Sequence, residues 1–380
     1  MPAFNLILKG GHIIDPKNDL DGVADIAISD GKVAAVAESL NGNAEKVVDV
    51  SGLYVVPGLI DIHVHVYGGF PGWMFPDPNS LPFGVTTVVD TGGAGWKDFE
   101  DFKQTIIDCS KTRVLAFINI VGAGMTGSPE QDTTEMEPQP CAEMIRQYPE
   151  HVVGSKSAHF NGPGWESAGG AIEAARLSDT IAMIDFAPQP TRSYEELLER
   201  LSPGDLHTHL YAGHIPLLDE NRIVNDYVWA ARKRGVIFDT GHGSGSFLFC
   251  NAVLAMKQGF PPDTISTDLH KSSRMIDATM PITMSKFLAL GMLLQEIIDR
   301  STRIPAEVIR RPELGHLSVG AEADVAVLNS VTGQFGFVDS GRNRFDATQK
   351  LECQMTIRAG EIVYDQNGRS KPSWDEAIED

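Results

Sequence analysis

The sequence predicts an α/β protein: a (β/α)8 barrel, or TIM barrel, joined to a small β-sandwich domain built from both ends of the chain. Two observations lead to this fold class. Eight short apolar runs alternate with helix-patterned segments through residues 56–317, and period-two apolar alternation is concentrated at the two ends. Strands that alternate with helices are typical of a parallel sheet, and about eight such units close a barrel.

The first 55 residues have the pattern of antiparallel strands. Runs such as NLILKGGHIID and DIAISDGKVAAVA pair apolar stretches with glycine or Asp-Gly turns. The same pattern returns in ADVAVLNS and QMTIRAGEIVYD. We therefore predict that residues 1–55 and 318–365 form one composite β domain, with two separate β appendages as the alternative. The polar and acidic residues 366–380 are predicted to form a loosely held tail.

The predicted barrel strands are short and apolar. In chain order they are LIDIHVHV, VTTVVDTG, VLAFINIV, VVGSKSAH, IAMIDFAP, DLHTHLYA, VIFDTGHG and TISTDLH. Segments between them, such as SYEELLERL and SKFLALGMLLQEIIDRS, have apolar residues at helical spacing. An open, doubly wound sheet is the alternative, but no GxGxxG motif follows the first strand. The barrel is therefore favoured.

Composition limits the partners and the compartment. The net charge is 31 − 51 = −20, which disfavours nucleic acid and anionic membrane surfaces. The four cysteines lie far apart with no CxxC pair, as expected of free thiols in the cytoplasm. No apolar run approaches the ~18 residues of a membrane span, and no secretory signal pattern opens the chain. We expect a cytoplasmic protein whose partner is a small-molecule substrate.

Polar side chains cluster where the predicted barrel strands end. They are His63, His65, Asp90, Lys156, Asp185, His207, His209, His242, Asp268 and His270. A single histidine at a strand end is usually structural, but seven of the eight predicted strands end in one or more of these histidine, aspartate or lysine residues. Because the carboxyl ends of barrel strands converge, these residues predict an active site at that face of the barrel.

The His-Val-His step carries the most information among these residues. Residues two apart on a strand point to the same side, so His63 and His65 can reach one ion from a rigid backbone. Imidazole is a good ligand for zinc and neighbouring metals. The step follows VVPGLID at the end of the first predicted barrel strand, and Asp268 lies in the eighth. The pattern indicates a metal site.

Four ordered motifs resemble those of the amidohydrolase superfamily. They are VVPGLIDIHVHV, GVTTVVDTGGAG, STDLH and LSVGAEADVAVL. Within the superfamily, the chain is most similar to the dihydroorotase-like amidohydrolase/deacetylase metallohydrolases. The resemblance extends from Asn5 to about Tyr364 and includes the split β domain.

The resemblance implies a role for five residues. His63 and His65 match the HxH metal ligands of the first strand. Lys156 matches the fourth-strand lysine that becomes carboxylated and bridges two zinc ions. His209 matches the sixth-strand histidine ligand, and Asp268 matches the eighth-strand aspartate, which binds a metal and takes a proton from the bridging hydroxide.

One position departs from the family pattern. Where relatives carry a fifth-strand histidine, this chain has Asp185, in IAMIDFAP. A carboxylate ligates zinc at a distance similar to that of imidazole and suits manganese better, so manganese is the alternative metal. We predict that Asp185 is a ligand of the second ion. The alternative is that it pairs with an arginine and binds no metal.

Lys156 is an unusual residue at this face if it stays an ammonium ion, because cations repel. Carbon dioxide would convert it to a carbamate, an anion that two cations can share. The alternative is a salt bridge to Asp185 or Asp268. Two metal ions would lower the pKa of water toward ~7, and Asp268 could accept the released proton as general base and pass it to the leaving group.

Three further residues are predicted to bind substrate. His242 lies in the glycine-serine loop after the seventh strand, Tyr67 follows the HxH motif, and Arg274 follows STDLH, where it could clamp a carboxylate. An ordinary loop histidine is an equal alternative for His242. His207 is a rival of His209, and His214 is predicted to be structural or solvated.

Taken together, these features predict a metal-dependent hydrolase of a non-peptide C–N bond, in a cyclic amide or an N-acyl group, or of a related acyl ester. The alternative from another class is a non-catalytic oligomeric scaffold of the same fold. A scaffold has no physical reason to keep the ligands His63, His65, Lys156, His209 and Asp268 together. The half-buried strands of the composite domain also predict a homo-oligomer.

Overall fold

The computed structural model describes residues 4–70 and 72–375, which form fifteen strands and eleven α-helices. The strands are β1 (Phe4–Asp15), β2 (Leu20–Ser29), β3 (Lys32–Ala37), β4 (Ala44–Asp49), β5 (Tyr54–Pro57), β6 (Leu59–Val64), β7 (Val85–Gly95), β8 (Arg113–Asn119), β9 (Val152–Ser157), β10 (Ile181–Ile184), β11 (Leu206–His207), β12 (Ile237–Phe238), β13 (Val325–Val338), β14 (Arg344–Arg358) and β15 (Glu361–Asp365).

The helices are mostly short and follow the barrel strands. They are α1 (Pro76–Ser80), α2 (Phe99–Phe102), α3 (Pro138–Gln147), α4 (Glu166–Ser178), α5 (Tyr194–Arg200), α6 (Asp226–Arg234), α7 (Phe249–Lys257), α8 (Lys271–Arg274), α9 (Met280–Ala289), α10 (Leu294–Asp299) and α11 (Arg303–Val308). Across the described residues, none of these helices is both long enough and apolar enough to cross a lipid bilayer.

Strands from both ends of the chain form one sheet. Its order is β15-β14-β13-β5-β1-β2-β3, and β4 pairs with β1. β13 joins the two ends by pairing antiparallel with β5. The sequence predicted a β-sandwich. In the structure, the eight strands form one hydrogen-bonded sheet, which surrounds its own cluster of buried apolar side chains. The composite β-rich unit is confirmed, while its domain boundaries stay a prediction.

The predicted tail begins as an ordered turn. The Asp365 carboxylate accepts hydrogen bonds from the backbone N–H groups of Arg369 and Ser370, at 3.0 and 2.8 Å. Residues 366–370 are thereby attached to β15. Residues 376–380, the rest of the predicted tail, lie outside the described residues.

The barrel consists of seven parallel strands in sequence order, β6 to β12, and an extended eighth segment. That segment, 264–269, lies between β12 and β6: Thr264 accepts from the Thr240 N–H (3.1 Å) and Leu269 from the His65 N–H (2.8 Å). It is not a regular strand, because Asp268 adopts a left-handed backbone with φ 47°. The barrel predicted from the sequence is confirmed, with its eighth element irregular.

An ion-pair cluster fastens the barrel to the composite sheet. Arg113, at the start of β8, lies 2.9 Å from Asp324 and 2.8 Å from Glu322, directly before β13. Arg358 of β14 contacts the same two carboxylates. The two sheets therefore share charged contacts at the amino-terminal face of the barrel, opposite to the strand ends that carry the predicted site.

Gly154 allows β9 and β10 to approach closely. A Cβ atom there would lie 1.9 Å from the Ile181 carbonyl oxygen, which is backbone and cannot rotate away. We predict that Gly154→Ala lowers the free energy of unfolding by about 1–3 kcal/mol, the cost of overpacking a core. Gly22→Ala is the matched control, because its Cβ would meet nothing within 4 Å. Chemical denaturation of both variants measures the difference, and equal losses would contradict the prediction.

Candidate metal site at the barrel mouth

The first barrel strand ends in a buried cluster of three metal-type ligands. His65 Nε2 lies 3.0 Å and His63 Nε2 3.6 Å from Asp268 Oδ1. One ligand atom from each of the three residues falls within 4.8 Å of the others. Such spacing suits one divalent ion, since zinc bonds to nitrogen and oxygen at about 2.0–2.2 Å. The structure therefore brings the predicted HxH pair and Asp268 together.

The His63 ring is oriented by a hydrogen-bond relay. Its Nδ1 lies 2.8 Å from Thr208 Oγ1, which donates to Asp239 Oδ2 at 2.7 Å. Burial, with the nearby charge of Lys156, lowers the pKa of His63 to about 3. The imidazole is therefore neutral at physiological pH, which is the form that binds a metal.

His65 and Asp268 are held from other directions. The His65 ring stacks on Trp73, with ring centroids 4.6 Å apart. Its Nδ1 is buried without a hydrogen-bond partner among the described residues. His270 Nδ1 contacts the Asp268 backbone oxygen at 2.7 Å. Although burial alone would raise it, the pKa of Asp268 lies well below its usual value because of His63 and the hydrogen bonds from His270 and His65.

Lys156 lies near the end of β9 with its ammonium nitrogen buried. Nζ has no hydrogen-bond partner among the described residues, and the residue is 1% exposed. Burial lowers its pKa, while the charges of Asp185 and Asp268 oppose the change. Neither predicted salt bridge forms within 4.0 Å in the described part of the chain. The Lys156 amine is therefore buried beside acidic and imidazole side chains without a hydrogen bond to any described residue.

Asp185 and His209 form a second pair on the neighbouring strands. Asp185 Oδ2 lies 3.7 Å from His209 Nε2 and 3.8 Å from His159 Nε2. His209 Nδ1 is 2.7 Å from the Gly241 carbonyl oxygen, so Nε2 is free to face Asp185. Burial would raise the pKa of Asp185, but the charges of His209, His159 and Lys156 outweigh burial and lower it. The partners of Asp185 are histidines rather than the arginine considered as an alternative.

His159 is a residue of the site that the sequence patterns did not predict. This residue follows β9 with a left-handed backbone, φ 55°, and its Nδ1 lies 2.8 Å from Glu130 Oε2. The Glu130 hydrogen bond raises the pKa of His159 to about 9. The run SKSAH places it three residues after Lys156, but strand alternation carries no information past the strand end. Only the folded chain turns it toward Asp185.

A cavity of about 520 Å³ opens onto this second pair. Its lining includes Asp185, His209 and Asp268, together with His159, Asn161, Ala187, His214, Ser244, Gly245, Ser246 and His270. The sequence analysis expected His214 to be structural or solvated; it is exposed and also forms part of this wall. The lining is polar and rich in imidazoles, which suits a small polar substrate.

The three predicted substrate-binding residues lie elsewhere. Tyr67 donates a hydrogen bond to Asp101 and packs against Phe102. The Arg274 guanidinium lies over the Phe83 ring, 4.7 Å from its centroid. His242 is fully buried, with Nε2 2.7 Å from Lys286 Nζ. None of the three lines the cavity, because packing and buried partners fix their side chains outside it.

His207 does not compete with His209. Its Nδ1 lies 3.2 Å from the Tyr194 hydroxyl in the helix layer, and burial lowers its pKa to about 3. His209 has a left-handed backbone with φ 62°, so simple strand alternation does not apply between the two residues. The geometry selects His209 for the mouth of the barrel.

The structure thus combines a closed barrel with a His-X-His pair on its first strand, an aspartate on its eighth segment and a buried lysine near the end of β9. Comparison with known proteins gives the family. A model described as the Amidohydrolase family matches residues 260–364. A deacetylase of Brucella anthropi is 33% identical over 361 residues, which cover 90% of this chain and 88% of the relative. A deacetylase of Agrobacterium fabrum is 34% identical over 351 residues, covering 88% and 85%.

Solved structures agree with these relatives. A structure described as an adenine deaminase matches with a TM-score of 0.88 and 29% identity over 95% of this chain and 100% of its own. A dihydroorotase matches with a TM-score of 0.84 and 28% identity, covering 95% and 99%. The chain belongs to the amidohydrolase superfamily and is a hydrolase of C–N bonds.

Proposed function

We propose that this amidohydrolase is metal-dependent and removes an acyl group from nitrogen or opens a cyclic amide. Hydrolysis of a related acyl ester uses the same attack on a carbonyl carbon. The observation that carries the proposal is the cluster of His63, His65 and Asp268 beside the orphaned amine of Lys156. The deacetylase and dihydroorotase relatives support this choice of bond.

The residues present fit a pair of divalent cations. His63, His65 and Asp268 would hold the first ion, Asp185 and His209 the second, and a carboxylated Lys156 both. Zinc suits the imidazoles, and manganese is the alternative because of the carboxylates. When bound, such ions lower the pKa of water and polarise a carbonyl oxygen. The buried Nζ of Lys156 and Nδ1 of His65, both without partners among the described residues, support this assignment.

Asp268 is the proposed general base and acid. The residue is 7% exposed, and its carboxylate faces the Nε2 atoms of His63 and His65 and the cavity. An ionised carboxylate only accepts hydrogen bonds, so it can take a proton from the attacking water and return it to the departing nitrogen or oxygen. His270 Nδ1 contacts the Asp268 backbone oxygen at 2.7 Å and lies 3.3 Å from Oδ1, which helps to hold the carboxylate in place.

The substrate is proposed to be a small molecule that fits the cavity of about 520 Å³. Amide and hydroxyl groups of Asn161, Ser244 and Ser246 can hydrogen-bond to its polar atoms, and the imidazoles of the wall can donate or accept. Self-association and a cytoplasmic location stay predictions from the sequence. Screening N-acyl amino acids, cyclic imides and acylated hydroxy acids would identify the substrate class.

The first test is metal content. His63→Ala or His65→Ala removes one ligand of a buried three-ligand cluster, so each variant is expected to lose metal and turnover together. His12→Ala is the matched control, because His12 lies on the composite sheet and bonds to Asp21. Elemental analysis and turnover decide. Purified protein with no transition metal, and no activation by zinc or manganese, would contradict the proposal.

Carboxylation of Lys156 has its own test. Lys156→Ala removes the proposed bridge, and we expect an inactive protein that short carboxylic acids partly restore by occupying the vacated space. Lys97→Ala, the same change at an exposed lysine, should leave turnover unchanged. Rescue is measured against sodium chloride at equal ionic strength. A bare ammonium group in a high-resolution map that also shows two ions would refute carboxylation.

Substitution of Asp185 tests whether this residue is a ligand of the proposed second ion. Asp185→Asn removes an anionic ligand, so the second ion should dissociate more readily than the first and leave the His63–His65 site occupied. Asp185→His should shift the preference from manganese toward zinc. If Asp185 only pairs with His209 and His159, the Asn variant keeps its full metal content while the Michaelis constant or the stability changes. Counting ions per chain separates the two accounts.

A further inference from the structure

The loop after β12, residues Gly241–Ser246, forms one wall of the cavity and touches two proposed ligands. The Gly241 carbonyl oxygen lies 2.7 Å from His209 Nδ1. A Cβ atom on Gly243 would lie 2.2 Å from Asp268 Oδ2, so the loop backbone packs directly against that carboxylate. Ser244 Oγ is 3.2 Å from His270 Nε2. The position of this loop therefore sets the position of the site.

A buried lysine holds the loop from behind. Lys286, on α9, is 1% exposed, and its Nζ lies 2.7 Å from His242 Nε2 and donates to the Val338 carbonyl oxygen at 2.8 Å. His242 Nδ1 lies 2.8 Å from the Gly243 carbonyl oxygen, which makes Nδ1 the donor and Nε2 the acceptor. The lysine thus links the loop to the end of β13.

The turn between β13 and β14 contacts the same loop at Gly243 and the residues that directly follow the loop. Ser340 Oγ accepts from the Phe247 N–H at 3.1 Å and donates toward the Gly243 carbonyl oxygen at 3.2 Å. The Ser340 N–H donates to the Phe247 carbonyl oxygen at 2.9 Å. Asp339 accepts from the Phe249 N–H at 3.0 Å. This turn belongs to the composite sheet, yet its contacts are with the barrel mouth.

We propose that Lys286 and the turn 338–343 form a clamp that positions the loop Gly241–Ser246 and, through it, His209 and Asp268. Lys286 does not touch the cavity and is a positioning residue. Its ammonium has no carboxylate partner within 4.0 Å in the described part of the chain, which is a costly arrangement for a residue that serves stability alone. The clamp gives the composite sheet a direct part in the site geometry.

The test uses three variants of the full chain. Lys286→Met keeps the length of the side chain but removes its donors, and Ser340→Ala removes the hydroxyl at the turn. Ser285→Ala is the matched control: Ser285 is the neighbour of Lys286 on α9, is equally buried and bonds to the Leu351 N–H at 2.8 Å, but does not touch the loop. Amide hydrogen exchange of residues 241–248 is measured in each variant with and without metal.

We expect exchange in the loop to accelerate roughly tenfold in Lys286→Met and Ser340→Ala, and to change less than about twofold in Ser285→Ala. A second readout rests on the proposed function. In the two clamp variants, kcat should fall by a larger factor than KM rises, and the ion proposed to bind His209 should dissociate more readily than in the unchanged protein. Unchanged exchange in the two clamp variants, equal acceleration in all three, or a faster loop with unaltered kcat would each overturn the clamp. If Lys286→Met does not fold, Ser340→Ala alone decides. The exchange result stands independently of whether the enzyme has been assigned the right substrate or metal.

Discussion

The buried carboxylate of Asp239 is the group on which the barrel mouth depends. It accepts hydrogen bonds from Thr208, Thr264 and Ser266 at 2.6–2.8 Å and, through Thr208, orients His63. Burial would raise the pKa of Asp239, but the nearby His63 ring, 3.5 Å away, and the hydrogen bonds from these hydroxyls lower it, so the carboxylate stays charged. These contacts link the last barrel segments to the first barrel strand. Each hydrogen bond to a buried charge contributes about 1.5–3 kcal/mol, so Asp239 stabilises this part of the barrel strongly.

The composite sheet reaches the barrel at both faces. At the amino-terminal face, Arg113 pairs with Asp324 and Glu322 beside the start of β13. At the opposite face, the turn after β13 contacts the loop that lines the cavity. β13 and β14 are the longest strands of the chain, and their length is what spans the barrel from one face to the other. A split domain therefore places residues from near the end of the sequence beside a site that begins at its first barrel strand.

The sequence by itself determined the barrel, the composite sheet and the three residues of the candidate metal site, His63, His65 and Asp268. Period-two alternation at both ends and eight apolar runs between them are local patterns. Such patterns can be recognised in the sequence without knowing which residues contact each other. The His-Val-His step is equally local, since one strand fixes the direction of both rings. Asp268 could be placed beside these histidines because the carboxyl ends of the strands converge in a barrel. In the structure, one nitrogen or oxygen atom from each of these three side chains lies within 4.8 Å of the others.

Only the tertiary structure decided which other polar residues share the cavity. His209 and His159 have left-handed backbones, so alternation along a strand could not predict where their side chains point. His242 was a reasonable substrate ligand by position, but its ring is buried against a lysine that follows it by 44 residues. Such contacts depend on packing between elements distant in sequence, and no local pattern of residues encodes them. The sequence therefore determined the scaffold and the candidate metal site, and packing between distant elements decided which other residues line the cavity.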